Sequence, residues 1–214
     1  MKEYFTKKNL LIAGGILLLA LLANNARAAD VYGNAGGYSD YIWRGMNQSQ
    51  GPSAFLDLGV STDLGLYGGL WVGQVEFDGS IATEEQDWYI GFNKNVMGVN
   101  VDVAYWDYGY RGDSNLDFEE AQVKLGFFDN KLHVLHAVGM DDASDYTEVS
   151  FSMFSMADFS YGLVKDHGIN WEVSRSMDVL GGSLEVGYAE FIADDNALAL
   201  DEDGFYIGWS RPLF

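Results

Sequence analysis

No cysteine occurs in this 214-residue chain, so it has no disulfide framework, no thiol nucleophile and no Cys-ligated metal site. Only two prolines interrupt the backbone, and cationic side chains are scarce: 12 Lys and Arg face 32 Asp and Glu, a formal charge of −20. Such a chain repels phosphates, which excludes nucleic acid as a partner. Long apolar runs are also missing. Beyond residue 23 no stretch approaches the roughly 20 apolar residues that a lipid-spanning helix needs. What remains is 26 glycines, 15% aromatic and 48% hydrophobic residues. That mixture is too apolar for disorder and favours extended strands with tight turns, in one domain.

The N-terminal segment has the build of an export signal. Lys2, Lys7 and Lys8 precede a mostly apolar run over 10–23, and Ala26-Arg27-Ala28 supplies a small-x-small cleavage pattern. The run is too short for a membrane anchor, so residues 1–28 are expected to be removed and 29–214 to form the mature domain. Four cations and one carboxylate leave with that segment, which takes the formal charge to −23.

Downstream the hydrophobic period is two, the period of a strand with two unlike faces. Val99, Val101, Val103 and Tyr105 alternate with Asn100, Asp102, Ala104 and Trp106; Ala121, Val123, Leu125 and Phe127 alternate with Glu120, Gln122, Lys124 and Gly126. Twelve strands are expected, near 31–42, 53–63, 66–77, 86–94, 98–108, 117–128, 131–139, 146–156, 159–166, 168–176, 182–192 and 203–214. A merger within 131–176 would give ten. The connections alternate between long, mostly acidic segments and short turns, as in bacterial outer-membrane barrels, whose outer loops are long and periplasmic turns short. Phe214 closes an alternating segment with Phe205, Ile207 and Trp209, the terminal strand that barrel-assembly machinery reads. The fold expected is therefore all-β: a transmembrane antiparallel up-and-down β-barrel. Trp88, Tyr105, Trp171, Tyr188 and Trp209 suit aromatic girdles on its lipid face.

Two stretches, Gly37-Tyr38-Ser39-Asp40-Tyr41-Ile42-Trp43-Arg44-Gly45 with Gln48-Ser49-Gln50, and Gly65-Leu66-Tyr67-Gly68-Gly69-Leu70-Trp71-Val72-Gly73, resemble the N-terminal pattern of the TorF-type porins, also called the Gcw_chp family. The resemblance covers about a quarter of the chain. It implies an outer-membrane β-barrel and brings neither a substrate nor a catalytic residue.

The faces opposite the apolar ones would line a lumen with Asp57, Asp102, Glu120, Gln122, Lys124, Glu148, Glu172 and Glu185, a carboxylate excess that favours cations. Asp40 and Arg44, four apart on one expected strand, would share a face near the outer rim. There they would pair with each other or with acidic neighbours, pinning the first loop or tuning selectivity. The expected role is a porin or narrow channel for small cationic or neutral solutes; a non-conducting structural or adhesive barrel is the alternative, and an enzyme the remote one. No His-x-Ser occurs, and His133 and His136, three apart on a strand, point to opposite faces and cannot share a metal. His167 has Asp166 beside it and no further acid or base group legible. No catalytic residue, cofactor or metal is assigned; the partners expected are outer-membrane lipid and lipopolysaccharide, the assembly machinery and small solutes. The acidic loops lack the spacing of a defined calcium loop.

Overall fold

The computed structural model describes residues 29–140, 143–153, 156–195 and 200–214. The expected export signal, 1–28, lies outside them. The first strand, β1 (Ala29–Tyr38), is followed by a small hairpin of β2 (Ile42–Trp43) and β3 (Met46–Asn47). Then come β4 (Ser53–Thr62), β5 (Leu66–Gln74), β6 (Glu84–Val96), β7 (Val99–Arg111) and β8 (Phe118–Phe127). The chain ends with β9 (Leu132–Met140), β10 (Tyr146–Met153), β11 (Ala157–Val164), β12 (Gly168–Val179), β13 (Gly182–Ala193) and β14 (Glu202–Pro212). Apart from the β2–β3 hairpin, these strands form one closed antiparallel barrel of twelve, in which each pairs with its sequence neighbours and β1 pairs with β14.

All twelve expected strands are present, with altered ends. The first stops at Tyr38 and not at 42, because the chain turns inward there. At the opposite end of the barrel the turns tighten beyond expectation. Met97 and Gly98 have φ of 53° and 87°, and Leu180 and Gly181 have 54° and 74°. Two successive positive φ values match the right-handed twist of the flanking strands, so two residues suffice for each hairpin.

Apolar side chains are on the wrong side for a water-soluble barrel. Every barrel strand presents an exposed large hydrophobe on its outer face: Val31, Leu56, Leu66, Phe92, Val103, Val123, Val138, Val149, Leu163, Val173, Val186 and Phe205 run round the circumference, and Phe205 is 77% exposed. The five aromatics expected on the outer face are there, Trp171, Tyr188 and Phe205 in ring contact across β12, β13 and β14. Glu85, Asp87 and Glu120 are buried and face the interior.

Tyrosines and glycines organise that interior wall. Tyr32 stands directly opposite Gly59, Tyr67 opposite Gly91, Tyr89 opposite Gly69, Tyr206 opposite Gly187, and Tyr38 opposite Gly208. In each pair a Cβ added to the glycine would collide with the facing ring. Each ring thus lies flat over a glycine of the neighbouring strand, covering backbone that would otherwise be bare. Phe214 does the same outside, its ring against Gly33 while the Leu213 N–H donates to the Gly33 carbonyl.

Candidate functional site

The barrel interior is crossed by the first long connection, residues 39–52, called loop 1 below. Its hairpin reverses at Arg44 and Gly45, with φ of 51° and 80°, the pattern of a two-residue β-turn. Glycine is required at the second position twice over: a Cβ there would meet the Glu190 carbonyl at 2.7 Å and the Asn170 Cβ at 2.8 Å, besides the positive φ.

Contacts trace the crossing. Trp43 packs on Tyr108 and Phe118, and Tyr41 meets Trp71 at a tilt. The Asn47 N–H donates to Glu202 at 2.7 Å, and Met46 joins Ala137, Tyr146, Val164 and Phe191 in a buried cluster. One segment touching β7 and β8 on one side and β12 to β14 on the other must span the lumen.

Arg44 holds the centre. Its guanidinium donates both arms to Glu120, at 2.7 and 2.8 Å, and lies between the rings of Trp43 (4.1 Å) and Tyr146 (3.9 Å). The Arg44 side chain is 9% exposed and that of Glu120 1%. Glu120 also accepts from Gln122 at 3.0 Å and Tyr108 at 3.4 Å. A forked, flat cation against a carboxylate and two aromatic faces is a geometry arginine alone fulfils. The expectation that Asp40 and Arg44 share a strand face is corrected: both lie beyond β1, and Asp40 accepts instead from the Asn47 amide at 3.4 Å. Arg44 takes the acidic neighbour.

The other expected lumen residues all face inward, and the tyrosines bind most of the acids. Tyr89 donates to Asp57 (2.7 Å), Tyr67 to Asp102 (2.6 Å), Tyr146 to Glu148 (2.8 Å), and Tyr206 to both Glu172 (2.5 Å) and Glu185 (3.2 Å). Lys124 has no ion pair among the described residues. Sequence reasoning passed over Glu85 and Asp87, although Glu85-x-Asp87-x-Tyr89-x-Gly91 puts all four on one strand face. Tyr110 donates to Glu85 at 2.8 Å. Burial holds the Tyr41 hydroxyl well above its ordinary pKa, so it remains a donor.

Towards the short-turn end the lumen widens into a cavity of about 230 Å³. Ser150, Ser152, Ser160 and Ser174 line it with His133, Asp158 and Glu172. The Met46 cluster of loop 1 closes the β9–β12 side nearer the long loops.

Hydrolytic chemistry finds little support here. His136 is on the outer face, bonded to Thr147 at 2.9 Å, and His133 is inside. His167 Nδ1 lies 3.0 Å from the Ser144 hydroxyl but also 3.0 Å from the Lys165 carbonyl. The carbonyl can only accept, so it draws the proton onto Nδ1 and removes the lone pair that would activate Ser144.

A family model described as a bacterial protein of unknown function (Gcw_chp) matches residues 23–125, a little under half of the chain, which contain loop 1 and both quoted motifs. Among solved structures, an outer membrane channel from Pseudomonas putida F1 is similar at 10% identity and a TM-score of 0.45, over 87% of this chain and 96% of that one. No curated protein matches.

Proposed function

We propose that this chain is an outer-membrane β-barrel forming a narrow channel for small hydrophilic solutes, cationic or neutral, with loop 1 as the plug of its lumen. The observation that carries the reading is the inversion of the barrel: apolar side chains exposed on all twelve strands, carboxylates and hydroxyls enclosed. Water penalises such an outer face, and lipid solvates it. Residues 1–28 then serve export, the assembly machinery reads Phe214, and the long acidic loops face lipopolysaccharide.

The inversion has its own test. Val123, at 43% exposure near the middle of β8, should tolerate lysine in a water-solvated barrel. In a bilayer Val123→Lys is expected to cost about 2–4 kcal/mol of folding free energy, read from denaturant unfolding in lipid vesicles. A neutral result would remove the membrane reading.

Planar-bilayer recording tests conduction. A barrel shortened in loop 1 is expected to conduct potassium in preference to chloride, since the inward acids outnumber Lys124. Glu172→Gln and Glu148→Gln together should lower that preference several-fold. The filled wall and the seated plug favour one other reading, a non-conducting structural or adhesive barrel. Silence from well-folded protein both with and without loop 1 would establish it.

A further inference from the structure

Beneath loop 1 two carboxylates are enclosed without a counter-ion. Glu85 and Asp87, two apart on β6 and on the same lumen face, are 3% and 4% exposed. Glu85 Oε2 and Asp87 Oδ1 have no hydrogen-bond partner among the described residues, although Glu85 Oε1 accepts from Tyr110 at 2.8 Å. We infer that Glu85 and Asp87 form a proton-binding site that ties the seating of loop 1 to pH, the loop closing over the pair when it is protonated and leaving when it ionises. The inference rests on the plugged-channel reading above.

The surroundings leave few other ways to neutralise the pair. Loop 1 contributes Tyr41 and Trp43, which pack on the cluster of Tyr108 and Tyr110, and Tyr108 stands directly opposite Asp87 on β7. Strand β7 adds Tyr110 and a further acid, Asp107, close enough to Asp87 to be felt. The cations are committed elsewhere: Arg44 to Glu120, and Arg111 to Glu84, at 3.6 Å. No third His, Asp or Glu joins the two to make a chelating set among the described residues. Enclosing two bare carboxylates beside a third acid is heavily unfavourable, and a proton is the smallest species that removes the charge.

The direction in pH follows. With loop 1 displaced, lumen water reaches both acids, and they ionise like ordinary carboxylates, from about pH 4 upward. The closed form therefore binds more protons than the open form. Below about pH 4 both forms are protonated and closure is at its most favourable; as pH rises beyond that, each proton released on opening lifts the open-to-closed ratio by up to about tenfold per pH unit.

Single-channel open probability between about pH 4 and pH 8 tests this. Wild-type protein is expected to open progressively with pH, while Glu85→Gln/Asp87→Asn, a permanently uncharged pair, stays closed throughout; Glu85→Gln alone should flatten the slope by about half. A pH-independent wild type, or a double variant that tracks it, overturns the inference. Closure by millimolar calcium at pH 8, reversed by a chelator and without any response to pH, also overturns it in favour of a metal ion. A loop-shortened barrel that never conducts defeats the channel reading instead, so the two failures are distinguishable.

Discussion

Arg44→Ala is expected to unseat loop 1 and convert a mostly closed barrel into a conducting one. The substitution leaves Glu120, 1% exposed, as a buried charge with only Gln122 and Tyr108 to donate to it. Removing one partner of a buried ion pair costs about 3–5 kcal/mol. If loop seating bears that cost, the open-to-closed ratio rises by about two to three and a half orders of magnitude at 1.4 kcal/mol per tenfold. Bilayer conductance and protease access to residues 39–52 should change together. Arg44→Lys keeps the charge but loses the fork and the flat stacking on Trp43 and Tyr146, so it should lie between. The control is Arg44→Ala/Glu120→Gln. With the stranded carboxylate neutralised, it should open less readily than Arg44→Ala alone, and additive single effects would show that the pair does not hold the loop.

The path of loop 1 is the part of the molecule that sequence reasoning did not reach. Strand number, order and facing follow from period-two alternation, which is local and is enforced at every second residue by unlike environments on the two sides of the wall. Asp57, Asp102, Glu120, Gln122, Lys124, Glu148, Glu172 and Glu185 were therefore assignable to the interior one strand at a time. Loop 1 obeys no period. Its course depends on Arg44 meeting Glu120, 76 positions away, and on Gly45 fitting beneath the Glu190 carbonyl. Trp43-Arg44-Gly45-Met46 was legible as a turn, yet nothing in the linear order distinguishes a turn into solvent from one into the lumen. The buried pair was missed for a related reason: Glu85 resembles a loop acid next to Glu84 until the strand is extended two residues ahead of its expected start at 86, and Asp87, inside the expected strand, lacks a partner until then. The tyrosine partners were missed because aromatics had been assigned to the outer face. Tyr67-x-Gly69 and Tyr89-x-Gly91 on adjacent strands carry that information, since antiparallel pairing sets each ring over the other's glycine.

The second large effect belongs to those joints. Gly91→Val is expected to destabilise the barrel by about 2–6 kcal/mol, the sum of overpacking and of stranding a buried hydrogen bond. The added side chain would occupy the position of the Tyr67 ring, and that ring cannot retreat without withdrawing its hydroxyl from Asp102, 2.6 Å away. Asp102 also accepts from Asn93 at 2.9 Å, and Asn93 exchanges amide bonds with Asn100, so displacement of one ring disturbs a connected network. Tyr67→Phe separates the components. It keeps the ring over Gly91 and removes only the donor, so about 1–3 kcal/mol is expected. Two further glycines calibrate the set. Gly204 lies in β14 with nothing within 4 Å of its would-be Cβ and no positive φ, so Gly204→Ala should be close to neutral. Gly98 is equally open but has φ of 87°, so Gly98→Ala should cost about 1–2 kcal/mol through the backbone alone. Denaturant unfolding in vesicles would rank the four as Gly91→Val, Tyr67→Phe, Gly98→Ala and Gly204→Ala, the middle two close together. Equal stability of Gly91→Val and Gly204→Ala would mean that the rings rest on the wall without supporting it, and the lumen would then owe its shape to loop 1 alone.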